Sequence, residues 1–146
     1  KKNCNNYKLN ANLRFSKKIL IIKPFPGLNY DIYNFKKIKP KAILHSLYHS
    51  GTTNTRNNTK ESVSLEKFIK KIKNTKIPFF ISPISKKNKN IYASLKVLLN
   101  MNIKCLDHIT FETTYAKLSL VFKSFINEKE KNIFLNKNNF FEKTSF

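Results

Sequence analysis

The feature that most constrains this chain is a regular alternation of short apolar runs with segments of helical periodicity. Lys18-Ile-Leu-Ile-Ile22 is brief, apolar and rich in branched residues, as a buried strand is. Lys23-Pro-Phe-Pro-Gly27 ends it, because two prolines and a glycine do not continue a ladder. Asp31 to Lys37 reads as a short helix. Lys41-Ala-Ile-Leu-His-Ser-Leu-Tyr48 reads as a second strand, and the polar stretch from His49 to Thr59 as a loop. Ser62 or Ser64 then caps a helix running to about Asn74. Its Leu65, Phe68, Ile69 and Ile72 fall on one helical face. Ile77-Pro-Phe-Phe-Ile81 is a third strand, with Pro78 near its start, where a missing N–H is tolerated. A polar loop is expected over Ser82 to Asn90, a helix over Ile91 to Met101 and a short strand over Ile103 to Cys105. Thr110 caps a longer helix whose apolar stripe is Phe111, Tyr115, Leu118, Phe122 and Phe125, with Glu112 in its first turn. A charged stretch and a Phe-rich tail follow, with room for one or two further turns.

This order predicts an α/β fold: an open parallel sheet of about four strands, right-handed crossovers, and helices on both faces. In such sheets ligands gather beyond the carboxyl ends of the strands. Those ends feed the Pro-Phe-Pro-Gly turn, the loop from His49 and the loop from Ser82. Residues Lys1 to Ser16 are polar and read as a linker or disordered lead-in, which leaves 17–146 as the folded unit. Its size suits one domain. Because the chain starts at Lys1 rather than Met, it is read as a fragment or processed product.

Composition narrows the function classes. Hydrophobic residues are 40% of the chain and aromatic residues 13%, enough for a core. No apolar run approaches the roughly 18 residues that span a bilayer, so no membrane is expected. Cys4 and Cys105 form neither a disulfide framework nor a zinc motif and read as free thiols in a reducing compartment. The formal charge of +21 points first to nucleic acid. Yet nearly all of it is lysine, spread from Lys1 to Lys143, with arginine only at Arg14 and Arg56. Arginine is the residue suited to bidentate phosphate and base contacts. Abundant Lys, Asn and Ile are also what an AT-rich coding sequence produces. The charge therefore reads as a solvated surface, with a basic nucleic-acid-binding module as the alternative.

Catalytic and metal motifs are missing. His45 and His49 lie four apart on or just after a strand, which separates them by about 13 Å, too far for one metal. His108 stands alone before a helix. Ser46, Ser50, Thr52 and Thr53 sit at or after the second strand, but Tyr48-His-Ser-Gly-Thr52 is no Gly-x-Ser-x-Gly elbow. Only Asp31 and Asp107 are available as aspartates for a triad. Two glycines exclude a Gly-rich phosphate loop. The residues supply no self-contained catalytic set, no metal site and no cofactor site. Hydroxyl and amide groups that bind a polar substrate are the more sensible role.

Four segments taken together resemble the C-terminal, flavodoxin-like domain of the L-asparaginase family. They are Ile21-Ile-Lys-Pro-Phe-Pro-Gly27 with Asp31, Lys41-Ala-Ile-Leu-His-Ser-Leu-Tyr-His-Ser-Gly-Thr52, Ile77-Pro-Phe-Phe-Ile-Ser-Pro83 continuing through Ser85 to Tyr92, and Thr110-Phe-Glu-Thr-Thr-Tyr-Ala-Lys-Leu118. The last is the most specific, being similar to the family's Thr-x-Glu-Ala-Ala-x-x-Lys-Leu helix. The resemblance implies an amidohydrolase that converts L-asparagine and water to L-aspartate and ammonia. It also implies that the threonine nucleophile and its partners belong to an N-terminal domain absent from this sequence, so that this part alone is inactive. The C-terminal domain then contributes to a homodimer or homotetramer, with Ser50, Gly51 and Thr52 on a loop near a partner active site. His45, Ser46 and Ser82 occupy positions comparable to an effector site for asparagine, Glu112 and Lys117 fit structural or surface roles, and the location implied is cytoplasmic. A related subunit of transfer-RNA-dependent amidotransferases shares the domain.

Overall fold

The computed structural model describes residues 14–49, 51–56, 62–84, 92–101 and 103–139. Four strands, β1 (Ile19–Ile22), β2 (Ala42–His45), β3 (Phe79–Ile84) and β4 (Lys104–Asp107), form one sheet. Every neighbouring pair is parallel and the order is β1-β2-β3-β4. Between β1 and β2 lie a 3-10 turn (Tyr30–Ile32) and α1 (Phe35–Ile38); α2 (Leu65–Lys73) and α3 (Ala93–Leu99) fill the next two crossovers. After β4 come α4 (Phe111–Ser124) and α5 (Glu128–Asn136).

This strand order dictates how the layers are covered. Crossovers of one hand between successive adjacent strands all land on the same face. Accordingly Tyr30, Phe68, Ile69, Ile72, Leu95 and Leu98 pack with Ile22, Ile43 and Ile81 in one core. The other face needs a separate cover, and α4 and α5 supply it. There Phe111, Leu118, Val121, Phe122 and Leu135 enclose Ile19, Ala42, Leu44 and Phe80. Alternate residues of β2 thus feed opposite cores, as a pleated strand requires, and all four are buried.

The helix starts follow capping chemistry. Ser64 Oγ accepts from Lys67 N and Thr110 Oγ1 from Thr113 N, both at the positions read as caps. Four expectations are corrected. The first helix is broken at Tyr33–Asn34, because Asn34 caps a new turn by accepting from Lys37 N. The second strand stops at His45, since the chain turns back at Tyr48, whose N–H donates to Thr52 O at 2.9 Å. The third strand does not end at Ile81: it runs through Ser82 and Pro83 to Ile84. The β2 pairing ends at His45 opposite Ile81, and the β3–β4 register is irregular between Ile81 and Ile84. Pro83 therefore lies where no regular ladder requires its missing N–H. Last, the charged stretch after Phe125 is a full nine-residue helix.

Residues 1–13 of the expected lead-in, Cys4 among them, lie outside the described residues. Ser16 at its end is buried and donates its N–H to Ser119 O at 2.8 Å, so the segment is tied to α4 there. Among the described residues no helix is long and apolar enough to cross a membrane.

Candidate functional site

Past the carboxyl ends of the strands come Lys23, Ser46, Gly51, Thr52 and His108, while Ser82 lies inside β3. Gly51 adopts φ +73°, a conformation that suits glycine, and its N–H donates to Tyr48 O at 2.8 Å. Gly51 and Thr52 are half-buried on this turn. Ser50 lies outside the described residues.

His45 ends β2 fully buried, on the α2/α3 side of the sheet. Its Nε2 is 2.9 Å from Tyr30 Oη, and Tyr30 stacks on Phe68 with ring centroids 4.5 Å apart. Burial pushes the His45 imidazole down to about 4, and contact with the Ser46 backbone offsets only part of that. No well-aligned hydrogen bond reaches its Nδ1. Burial, with Tyr48 and Tyr33 nearby, moves the Tyr30 hydroxyl the other way, well above its usual range. An acid made weaker beside a base made weaker is mismatched for proton transfer near neutral pH. The pair is a neutral hydrogen-bonded anchor between the first crossover and the sheet.

Ser82 faces the opposite core. It is fully buried, with Oγ 2.7 Å from Thr114 Oγ1. Thr114 in turn donates to Thr110 O at 2.8 Å, so its single proton is used and Ser82 is the donor to Thr114. This relay ties β3 to the first turn of α4. Ser46 is half-buried, and its backbone N–H donates to Ile22 O at 2.9 Å. The three expected effector positions are therefore not brought together: His45 and Ser82 point into different cores and only Ser46 is partly open. The partners Tyr30 and Thr114 were not singled out from sequence. Thr114, four residues after a capping threonine, carried the weak signal that Thr/Ser hydroxyls on helices bond the carbonyl four back.

The other candidates also fall into place. His49 is exposed. Asp31 is exposed and bonded by Lys71 at 2.7 Å, which, with Ser62, holds its carboxyl below the usual range. Thr53 is buried and its N–H donates to Ser94 Oγ at 3.4 Å. Of the structural and surface roles expected for Lys117, the surface one is corrected: it is buried, and its Nζ donates to Lys137 O at 2.6 Å. The hydrogen bonds of His45 and Ser82 join neither to a matched nucleophile or base. Among the described residues no three of His, Cys, Asp and Glu are grouped to hold a metal ion.

The backbone superposes on the thermostable L-asparaginase from Thermococcus kodakarensis with a TM-score of 0.65, at 15% sequence identity, over 91% of this chain and 40% of that one. This is an L-asparaginase-like fold. L-asparaginase I from Vibrio cholerae O1 biovar eltor gives the same fold, with a TM-score of 0.54 and 17% identity over 88% of this chain and 38% of that one. The asparaginase-like unit described here thus spans about two-fifths of the length of either enzyme. No protein-family model matches the sequence, and no curated protein matches it either.

Proposed function

We propose that this chain is the C-terminal, non-catalytic domain of an L-asparaginase-type amidohydrolase, which hydrolyses L-asparagine to L-aspartate and ammonia. The observation that carries the reading is one of proportion. Nearly the whole chain follows an asparaginase backbone, yet it accounts for only 40% of that enzyme. The chemistry at the strand ends agrees, since the buried His45–Tyr30 and Ser82–Thr114 pairs are built to hold the sheet rather than to attack an amide. The nucleophile then comes from another domain, and covalent catalysis divides the amide cleavage into two easier steps there.

In this reading the loop segment Ser50, Gly51 and Thr52 borders a partner subunit's reaction centre, and the domain supplies part of a homodimer or homotetramer interface. Effector binding through His45 and Ser82 would require both to be uncovered, so the loop role is the one we carry. Sedimentation of the purified chain at micromolar concentrations is expected to give a dimer or larger species. A monomer throughout that range would remove the interface role.

A further inference from the structure

A concavity lies at the end of the sheet where the strands begin. It has a volume of about 810 Å³, within the roughly 300–1,000 Å³ typical of ligand pockets. It is formed by the starts of β2, β3 and β4, the ends of α2 and α4, and the start of α5. Its floor is aliphatic and aromatic: Ile77, Met101, Ile103 and Phe125 are all half-buried there. Among the described residues its wall carries six lysines, Lys41, Lys73, Lys76, Lys104, Lys123 and Lys131, against the single carboxylate of Glu128.

These lysines are of two kinds. Three are held by the fold. Lys41 Nζ donates to Phe122 O at 2.9 Å, Lys131 Nζ to Glu128 Oε1 at 2.7 Å and Lys104 Nζ to Asn132 Oδ1 at 3.3 Å. The other three, Lys73, Lys76 and Lys123, are exposed, as Lys41 also is. They approach the groove from two sides, from the end of α2 and the end of α4. Lys73 and Lys123 also offset helix C-terminal dipoles. That role does not account for Lys76, which lies beyond α2 in a left-handed conformation (φ +56°). Nor does it account for an apolar floor beneath the charges.

We propose that this groove binds an amphipathic monoanion: a carboxylate head on an alkyl chain, of the class of a fatty acid. Lysines are point charges that suit one compact anionic head, and their methylene stems extend the apolar lining. The floor is mainly aliphatic, with one half-buried ring, Phe125, which suits an alkyl chain better than a run of stacked bases. Among the described residues no arginine fork for a polyphosphate backbone lines the groove. The site is concave, so a flat bilayer surface does not fill it. This site is independent of the strand-end loops and of the asparaginase reading.

The test is calorimetric titration of the 146-residue chain with laurate kept below its aggregation threshold. Saturable one-to-one binding is expected, weakening as salt is added. A variant carrying Lys73→Gln, Lys76→Gln and Lys123→Gln is expected to bind about tenfold more weakly, as three partly exposed charge contacts together contribute. A variant with the same charge change elsewhere, Lys36→Gln, Lys37→Gln and Lys96→Gln, is expected to bind as the parent does. Inorganic phosphate and the neutral dodecyl maltoside should each bind at least about tenfold more weakly than laurate, because each lacks half of the recognised chemistry. The proposal is overturned by equal losses in the two triple variants, or by laurate binding no better than the neutral amphiphile. It is equally overturned if a short oligouridylate displaces bound laurate, or if the chain associates with anionic vesicles yet binds no monomeric laurate.

Discussion

Replacing Phe80 with alanine is expected to destabilise the domain by about 4 kcal/mol, within the usual cost of removing a buried phenylalanine. Phe80 is 1% exposed in β3, a strand with a neighbour on each side. It anchors the core under α4, meeting Phe122 edge-on with ring centroids 6.3 Å apart. Lys104 Nζ lies 5.7 Å from its ring centre, which adds a cation–π contact. The cavity left behind is bounded by a sheet and a helix that are tied elsewhere, so collapse around it is limited. Domains of this size are stable by only about 5–15 kcal/mol, so the variant would unfold well below the parent temperature. Phe25, 58% exposed in the turn after β1, provides the contrast. Its alanine variant should stay within about 0.5 kcal/mol of the parent. Urea unfolding at matched slopes measures both, and a Phe80→Ala loss below about 1 kcal/mol would contradict the two-core packing.

Acidification is the second large effect. His45 titrates near 6.5 when unfolded and at about 4 in the fold, because burial disfavours its charged form. Its folded value is the lower one, so the unfolded chain takes up the proton first. The His45 contribution is therefore intact above about pH 6.5, declines as pH falls from there, and is fully lost below about pH 4. At ~1.4 kcal/mol per pH unit the loss is about 3 kcal/mol. Protonation of the few carboxylates in a chain of net charge +21 adds self-repulsion at the acid end. His45→Gln separates the two effects: it should flatten the stability profile between pH 6.5 and 4 while leaving the steeper acid limb. An unchanged slope in that variant would mean that His45 is not the titrating group.

The helix and sheet layers of this fold are legible because strand and helix patterns differ in period. Ile19–Ile22, Ala42–His45 and the Leu65–Ile72 face each declared themselves through apolar spacing alone. What failed was decided by partners distant in sequence. Ser82-Pro83 carries loop chemistry, and only the end of the β2 pairing at Ile81 lets it remain in a strand. Lys117 looks like surface charge until α5 folds over α4 and offers Lys137 O. His45 sits at a position that the resemblance assigns to an effector site. Its burial depends on Tyr30, which follows β1 and gave no local sign of reaching β2.

The lysine groove shows the same limit on a larger scale. Lys41, Lys73, Lys76, Lys104, Lys123 and Lys131 are scattered along the chain, and scattered lysines read as a solvated surface. A parallel sheet with returning helices places strand starts and helix ends at one edge, so topology gathers them. Charge counted along a sequence misses a patch of this kind.

Ammonia release from L-asparagine by the purified 146-residue chain bears most directly on its assignment as a non-catalytic unit. No turnover above the buffer rate is expected at any substrate concentration, because neither buried strand-end pair supplies an activated nucleophile. Saturable ammonia release that purifies with the folded chain would contradict that assignment and place a complete reaction centre within these residues.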